Sequence, residues 1–505
     1  MQAAVQAHQA GRLAEAEQAY RQVLSIEPRN PDALHLLGLL AYQVGQMETA
    51  VTLIGQAVGV KPNEPIFLIN LGQAHRAAGR LELAEITLRR AIQLNRNLPE
   101  AHSNLSALLR QLGRLDDAEA AARKALALNP RLAAAVLTLG AVLKDKGDPQ
   151  AALAQYEQAQ KLGSPRHEVL NNIGEALRAL GQLDEAARAF EQAIALAPSM
   201  ALLHWNLSLI HLMQGDWQRG FDEYEWRLRL ASAPQYPGKL WDGGDIDGRS
   251  ILLYTEQGFG DAIQFARYVP LLAKRGAQAV LHCQPPLVRL LKRLRGAAQV
   301  IPIDQPPPAT DFYAPLMSLP HRFQTTPQHV PGEVPYLHAE PAELEAWQAR
   351  IAPAAGARNI GLVWAGNRQH ANDRNRSIAP ELLAPLRDVP DVRWFSLQMN
   401  TSSADLGRLG LNIAPLSHDI RDFADSAAAI AALDLLITVD TAPAHLAGAL
   451  GKPVWVLLPH IPDWRWLLDR SDSVWYPTMR LFRQPARGDW QSVIAEVVQH
   501  AKNEK

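Results

Sequence analysis

Asn70-Leu71-Gly72-Gln73-Ala74-His75-Arg76-Ala77-Ala78-Gly79-Arg80-Leu81-Glu82-Leu83-Ala84 is the stretch on which the fold of the first half turns. Helix-forming residues flank Gly79, and small side chains stand at Gly72 and Ala84, where two helices would meet. The arrangement recurs: Gly11, Gly45, Gly79, Gly113, Gly147, Gly181 and Gly215 are each 34 residues apart. Five residues after each glycine come Ala16, Ala50, Ala84, Ala118, Ala152 and Ala186, with Gly220 in the last unit. Seventeen after it come Pro28, Pro62, Pro130 and Pro198, which stop a helix, while Arg96 and Ser164 break the pattern. At twenty-seven stand Gly38, Gly72, Ser106, Gly140, Gly174 and Ser208, again small. No unit of this size buries its apolar face alone, so the units must stack, and a right-handed superhelix with a concave groove is expected.

A 34-residue period is that of the tetratricopeptide helix–turn–helix repeat. One register position adds a functional signal. Twenty-five residues after the glycine stand Leu36, Asn70, Asn104, Thr138, Asn172 and Asn206. An Asn amide both donates and accepts, so a row of them along the inner wall can hold the backbone of an extended peptide. The same row can equally tie each helix to the next repeat. The setting Asn70-Leu71-Gly72, followed in part by Asn104-Leu105-Ser106, Asn172-Ile173-Gly174 and Asn206-Leu207-Ser208, resembles the repeat region of the O-linked N-acetylglucosamine transferases. That resemblance implies a protein acceptor held by Asn70, Asn104, Asn172 and Asn206.

Composition excludes several classes. With 50 Lys plus Arg against 51 Asp plus Glu, the net charge is −1, without the standing positive field of a nucleic-acid or membrane-surface binder. One cysteine, Cys283, leaves no intramolecular disulfide and no Cys-cluster metal site. The N-terminus lacks a basic region followed by an apolar stretch, and no apolar run approaches the ~18 residues of a membrane span. A cytoplasmic protein without nucleic-acid partners or transmembrane segment is expected.

After Leu230, the segment Ala231-Ser232-Ala233-Pro234-Gln235-Tyr236-Pro237-Gly238 reads as a linker. Beyond it, β-rich runs alternate with helical ones, which indicates parallel α/β architecture. Strands are predicted at Ser250–Thr255, Gln278–Cys283, Asn359–Ala365, Val392–Gln398, Leu435–Asp440 and Val454–Leu458. Helices are predicted at Asp261–Arg275, Ala342–Ile351, Ala442–Leu450 and Asp489–His500. Asp304–Pro341 reads as loops and Ala352–Gly356 as a boundary. The expected organisation is a repeat superhelix over 1–232, a linker over 233–249, one Rossmann-like lobe over 250–353 and a second over 354–505.

Two strand-to-helix turns carry the chemistry. In Tyr254-Thr255-Glu256-Gln257-Gly258-Phe259-Gly260-Asp261, Gly258 and Gly260 allow close backbone approach, and Asp261 opens a helix at the end of a strand, where open α/β sheets bind ligands. Asp261 could also be a helix cap and nothing more. The pattern lacks the third glycine of a dinucleotide fingerprint, so NAD is not expected. In Val439-Asp440-Thr441-Ala442-Pro443-Ala444-His445, small residues open a helix whose N-terminal N–H groups suit a diphosphate. Thr441 adds a hydroxyl, and His445 either reaches phosphate or ribose or is a buried structural histidine.

Gly258-Phe259-Gly260-Asp261 with Leu271-Leu272, and the second segment continued through Leu446-Ala447-Gly448-Ala449-Leu450-Gly451-Lys452-Pro453, are similar to the ADP-heptose:lipopolysaccharide heptosyltransferases, glycosyltransferase family 9. The whole chain resembles bacterial proteins that join tetratricopeptide repeats to such a domain. The resemblance implies a GT-B fold and inverting, metal-independent transfer from a nucleotide sugar, with no cofactor. Asp261 would be the general base, with Gly258 and Gly260 beside it. Asp440, Thr441, Ala442 and His445 would hold the donor diphosphate. Arg376 would contact phosphate, with Arg374 as its rival, and Gln398 would stand where an acidic residue often meets the ribose.

Asp245-Ile246-Asp247 has the spacing of a GT-A metal motif but precedes the first strand, so it is read as a decoy. Trp464 and Trp466 line a sugar or base pocket, or else pack the core. The leading expectation is hexosyl, heptosyl or N-acetylglucosaminyl transfer to a protein in the repeat groove. A surface-glycan or lipid-linked acceptor, or an inactive repeat scaffold, are the alternatives.

Overall fold

The computed structural model describes residues 1–230, 234–351, 356–368 and 372–503. It divides into two compact units, Met1–Leu203 and His204–Lys505. Ala231–Ala233 of the expected linker lie outside the described residues. So does the expected boundary run apart from Gly356.

The first unit consists of helix pairs: α1 (Gln2–Gln9) with α2 (Leu13–Ile26), α3 (Pro31–Gln43) with α4 (Met47–Val60), and α5 (Pro65–Ala77) with α6 (Leu81–Leu94). Then come α7 (Pro99–Gln111) with α8 (Leu115–Leu128), α9 (Ala133–Lys146) with α10 (Pro149–Lys161), and α11 (Arg166–Ala179) with α12 (Leu183–Leu196). The periodic glycine ends the first helix of each pair in the left-handed region, with φ from 71° at Gly11 to 100° at Gly147. At Gly45 its N–H donates to Tyr42 O (3.1 Å) and the next N–H, of Gln46, to Ala41 O (2.8 Å), so two end carbonyls are satisfied. The periodic alanines are fully buried.

Within a pair, small residues face large ones. A Cβ on Gly72 would stand 2.6 Å from Leu88 Cγ, and one on Gly140 would stand 2.5 Å from Tyr156 Cε1. Gly38 faces Ile54 and Gly174 faces Phe190 in the same way. The partner is always sixteen residues on. Where the small position is Ser106, its hydroxyl donates to Ala118 O at 2.6 Å, and the residue sixteen on is only Ala122. Each pair is therefore volume-matched, as close packing demands.

First helices of successive pairs touch one another. Polar side chains join them: His8 Nε2 to Gln43 Oε1 (3.0 Å), Asn70 Nδ2 to His35 Nε2 (2.8 Å), Gln73 Nε2 to Asn104 Oδ1 (3.0 Å) and Arg110 to Asp145 (2.8 Å). Lys144 and Glu175 form a further pair.

The second unit takes in most of α13 (Ala201–Met213), then α14 (Trp217–Tyr224) and a 3-10 turn at Glu225–Arg229. Its first sheet contains β1 (Lys239–Leu240), β2 (Ser250–Tyr254), β3 (Gln278–Cys283), β4 (Ala297–Pro302) and β5 (Phe312–Pro315). Its helices are α15 (Phe259–Phe265), α16 (Val269–Lys274), α17 (Val288–Leu291) and α18 (Leu319–Arg322). α19 (Pro341–Ile351) leads to a second sheet of β6 (Arg358–Val363), β7 (Val392–Ser396), β8 (Ile413–Pro415), β9 (Leu435–Val439), β10 (Val454–Leu458) and β11 (Met479–Arg483). With these strands go α20 (Asp373–Arg376), α21 (Ser403–Arg408), α22 (Phe423–Ala431), α23 (Ala442–Ala449) and the closing α24 (Trp490–Asn503).

Strand order is β1-β5-β2-β3-β4 in the first sheet and β11-β10-β9-β6-β7-β8 in the second. Every ladder in both is parallel. The strands expected from sequence are all present, within two residues at their ends. Two readings need correction. The stretch 233–249 is not wholly a linker: Lys239 and Leu240 pair with Phe312 and Tyr313, and Trp241 is buried. Asp304–Pro341 is not wholly loop, because it holds β5 and α18. Both segments are short and interrupted by Pro or Gly, so neither shows an apolar run.

Candidate active site

In each sheet the chain turns back on itself at one place. β2 leads to β3 on one side while β5 lies on its other side, and β6 leads to β7 while β9 lies on its other side. These are the switch points at which a crevice opens beyond the carboxyl ends of parallel strands. The Gly258–Asp261 turn follows β2, and the Asp440–His445 turn follows β9. The fold brings the two together: a Cβ on Gly260 would stand 2.9 Å from His445 Cδ2 and 3.5 Å from Ala442 Cα. α15 and α23 are packed on each other by that absent side chain. Gly260 thus serves approach between two helices rather than approach to a ligand. Gly258 precedes α15 with an extended backbone.

Asp261 is a cap, and more. Its Oδ2 accepts from Gly258 N–H at 2.8 Å, and its Oδ1 accepts from Arg465 at 2.5 Å. Arg465 also donates through Nε to Gln264 Oε1 (2.6 Å) and through the guanidinium to Asp463 Oδ1 (2.8 Å). Its side chain is 8% exposed, against 19% for Asp261. Sequence reasoning misses Arg465. Its signal is the compact Asp463-Trp464-Arg465-Trp466 run after β10, where charge and aromatics alternate.

Asp440 lies at the mouth of the second turn. Burial pushes its carboxyl up, the charge of Asp463 adds to this, and Arg376 and Arg465 oppose it. Arg376 donates to the Asp440 carbonyl at 3.0 Å and lies 3.4 Å from Asp373 Oδ1, whereas Arg374 is exposed. The geometry therefore sets Arg376, not its rival, against this turn. Thr441 Oγ1 donates to Val439 O at 3.2 Å and stands just before the N-terminus of α23, with Ala442 as the first helical residue.

His445 is buried. Its ring stacks on Trp466 at 5.2 Å, and its Nδ1 is 3.1 Å from the Tyr476 hydroxyl. Burial, seconded by the Arg465 charge, pulls it down to about 3, so the ring is neutral at physiological pH. A neutral, enclosed imidazole is a packing element between the two lobes. Gln398 spends its carbonyl on two backbone donors, Trp364 N–H (3.0 Å) and Ala365 N–H (2.9 Å), and so ties the end of β7 to the end of β6. That holds together the loops that leave the two strands.

Trp464 and Trp466 are core residues, 2% and 1% exposed. Trp464 sits among Trp217 (6.0 Å between centroids), Phe221 (5.7 Å) and Tyr224 (6.3 Å), all from α14. Asp245 and Asp247 form a turn before β2, at the opposite end of that strand from the switch point. A cavity of about 210 Å³ lined by Arg289, Lys292, Arg293, His338 and Glu340 shares no residue with the two turns. Arg289 is already matched there by Glu343, Asp422 and Asp425.

The asparagine row divides. Burial pulls His35 down to about 4, so its neutral ring accepts from Asn70. Asn104 is engaged by Gln73. Asn206 is buried in the second unit. Asn172 is half-buried and, among the described residues, has no side-chain hydrogen bond. Asn70 and Asn104 therefore tie neighbouring repeats, whereas the Asn172 amide is unengaged among the described residues.

Tetratricopeptide repeat models match residues 7–67, 67–98, 99–132, 131–199 and 171–237. The first 240 or so residues are thus a tetratricopeptide repeat array. The chain is 26% identical over 327 residues to Protein FlbA of Caulobacter vibrioides (strain ATCC 19089 / CIP 103742 / CB 15), covering 59% of this chain and 54% of that protein. It therefore spans about half the length of the curated relative it matches. Among solved structures it is similar to the Cut9-Hcn1 hetero-tetramer of APC/C (18% identity, TM-score 0.42, 46% of each chain). It is also similar to a thermophilic TPR protein of Thermus thermophilus (24% identity, TM-score 0.34, 36% of this chain and 99% of that one). Among the described residues no helix is long and apolar enough to cross a membrane.

Proposed function

We propose that the second unit is an inverting, metal-independent glycosyltransferase of the GT-B type, with a nucleotide sugar as donor and a polypeptide presented by the repeats as acceptor. One observation carries the reading. Two all-parallel sheets put their switch-point turns face to face, one bearing the carboxylate Asp261 and the other opening the N-terminus of α23. A helix N-terminus flanked by Arg376 suits a diphosphate. A carboxylate across from it suits removal of a proton from a hydroxyl. In this mechanism the acceptor oxygen gives its proton to Asp261 and bonds to the anomeric carbon from the face opposite the leaving group. The bond from that carbon to the diphosphate breaks, and Arg376, Thr441 and the Ala442 N–H take up the charge that develops.

A scaffold reading is favoured by a different observation. Both Asp261 oxygens are already engaged, and His445 is neutral and enclosed. A thermal-shift screen against UDP, ADP and GDP and their sugars separates the two. Selective stabilisation by one nucleotide series, followed by release of that nucleoside diphosphate from its sugar, supports transfer. UDP selectivity points to N-acetylglucosaminyl-type transfer, and ADP selectivity to heptosyl-type transfer onto a glycan or lipid-linked acceptor. Stabilisation by none of them leaves the scaffold.

A further inference from the structure

We infer that Arg465 is the positioning residue that orients Asp261 as base, an inference that rests on the transferase reading above. Asp261 is the third residue of α15, and one of its oxygens accepts from the Gly258 N–H at 2.8 Å. Arg465 fixes the other oxygen at 2.5 Å and is itself immobilised from three sides. Asp463 and Gln264 take two of its donors, and Trp464 lies beneath its guanidinium carbon at 4.5 Å. Asp261 and Gln264 belong to the first lobe, while Asp463 and Trp464 belong to the second. The guanidinium thus sets the carboxylate of one lobe by reference to the other, which carries the donor turn.

A buried ion pair is a poor source of stability, since desolvation offsets most of its attraction. Its placement here is accounted for by geometry at the reacting end of β2. The support runs further back. Trp464 is clasped by Phe221 and Tyr224 of α14, and Trp217 stacks on Trp475 at 4.9 Å. α14 is therefore part of the frame that holds the base.

The test uses the full chain and water as acceptor, with release of nucleoside diphosphate from UDP-N-acetylglucosamine, ADP-glucose and GDP-mannose each measured. Arg465→Ala should lower kcat roughly 100-fold, the scale of a misplacement of about 1 Å, with donor KM within about threefold. Arg465→Lys should recover part of the loss. Millimolar guanidinium chloride, against equal sodium chloride, should restore Arg465→Ala but not Asp261→Asn. Melting of each variant separates misfolding from mispositioning, and Arg465→Lys serves if Arg465→Ala does not fold. Unchanged kcat in folded Arg465→Ala overturns the inference alone, as does a loss that neither lysine nor guanidinium repairs. Wild type that releases product from none of the three donors overturns the transferase reading, and this inference with it.

Discussion

Replacing Asp261 by Asn keeps the size of the side chain and an oxygen for the Gly258 N–H, and removes the charge. Its consequences can be worked from the contacts. The capping bond survives, because Asp261 stands third in α15 and an Asn side-chain oxygen also accepts from the Gly258 N–H. The bond from Arg465 loses its ionic partner, yet Arg465 keeps Asp463 and Gln264. A hydrogen bond to a charged group is worth about 1.5–3 kcal/mol. Partial exposure of Asp261 and the remaining partners of Arg465 put the loss at the lower end. For a unit of this size, His204–Lys505, that is a fall in melting temperature of roughly 2–3 °C. Turnover should fall much further, by about 10²–10⁴ for a lost general base. Donor affinity by calorimetry should stay within a few-fold. The assay is nucleoside diphosphate release from whichever nucleotide sugar stabilises the wild type. Wild-type-like turnover in a folded, slightly less stable Asp261→Asn protein would refute the reasoning, leaving Asp261 as a cap and an ion-pair partner.

Arg376→Ala should weaken donor binding by roughly one to two powers of ten, the worth of a charge-assisted contact, while Arg374→Ala does nothing; calorimetry with the nucleoside diphosphate checks both, and the opposite ranking would reverse the choice. Asp440→Asn should raise the melting temperature at pH 7, because the folded carboxyl is held above its unfolded value and its ionisation opposes folding. The wild type regains that stability as pH falls, so the gain should shrink towards pH 4, and a pH-independent difference would contradict it. Gly72→Ala should cost about 1–3 kcal/mol by overpacking against Leu88, read as loss of helical circular dichroism in urea, and Leu88→Ala in the same chain should recover part of it.

The repeats were legible because a 34-residue period imposes one requirement many times, so each glycine is supported by six others. The sheets were legible where strands are buried on both faces, as in β3 and β10, whose predicted limits match those observed. β1, β4, β5, β8 and β11 were not, because strands at or near a sheet edge need no continuous apolar run; β11 reads Met-Arg-Leu-Phe-Arg. The two turns were found from their glycines, small residues and carboxylates. Arg465 was missed because it lies some 200 residues from Asp261, a proximity that only the packing of the lobes creates. The asparagines had a register but not a partner: His35 and Gln73 stand at neighbouring positions of the preceding repeat, a complementarity visible only once the helices are stacked.

The matched small and large residues of the helix pairs bear on how such an array can change. Gly72 and Leu88 lie in one hairpin, and Ser106 and Ala122 in the next, so the lock and its key travel together. Copying or deleting a whole hairpin preserves every match. Exchanging α7 for α5 alone would set Ser against Leu and force the helices apart, and the reverse graft would set Gly against Ala and leave a hole. The unit that can be gained, lost or recombined is therefore the hairpin counted from its own first helix, and a crossover at the glycine turn inside it is the one the packing forbids.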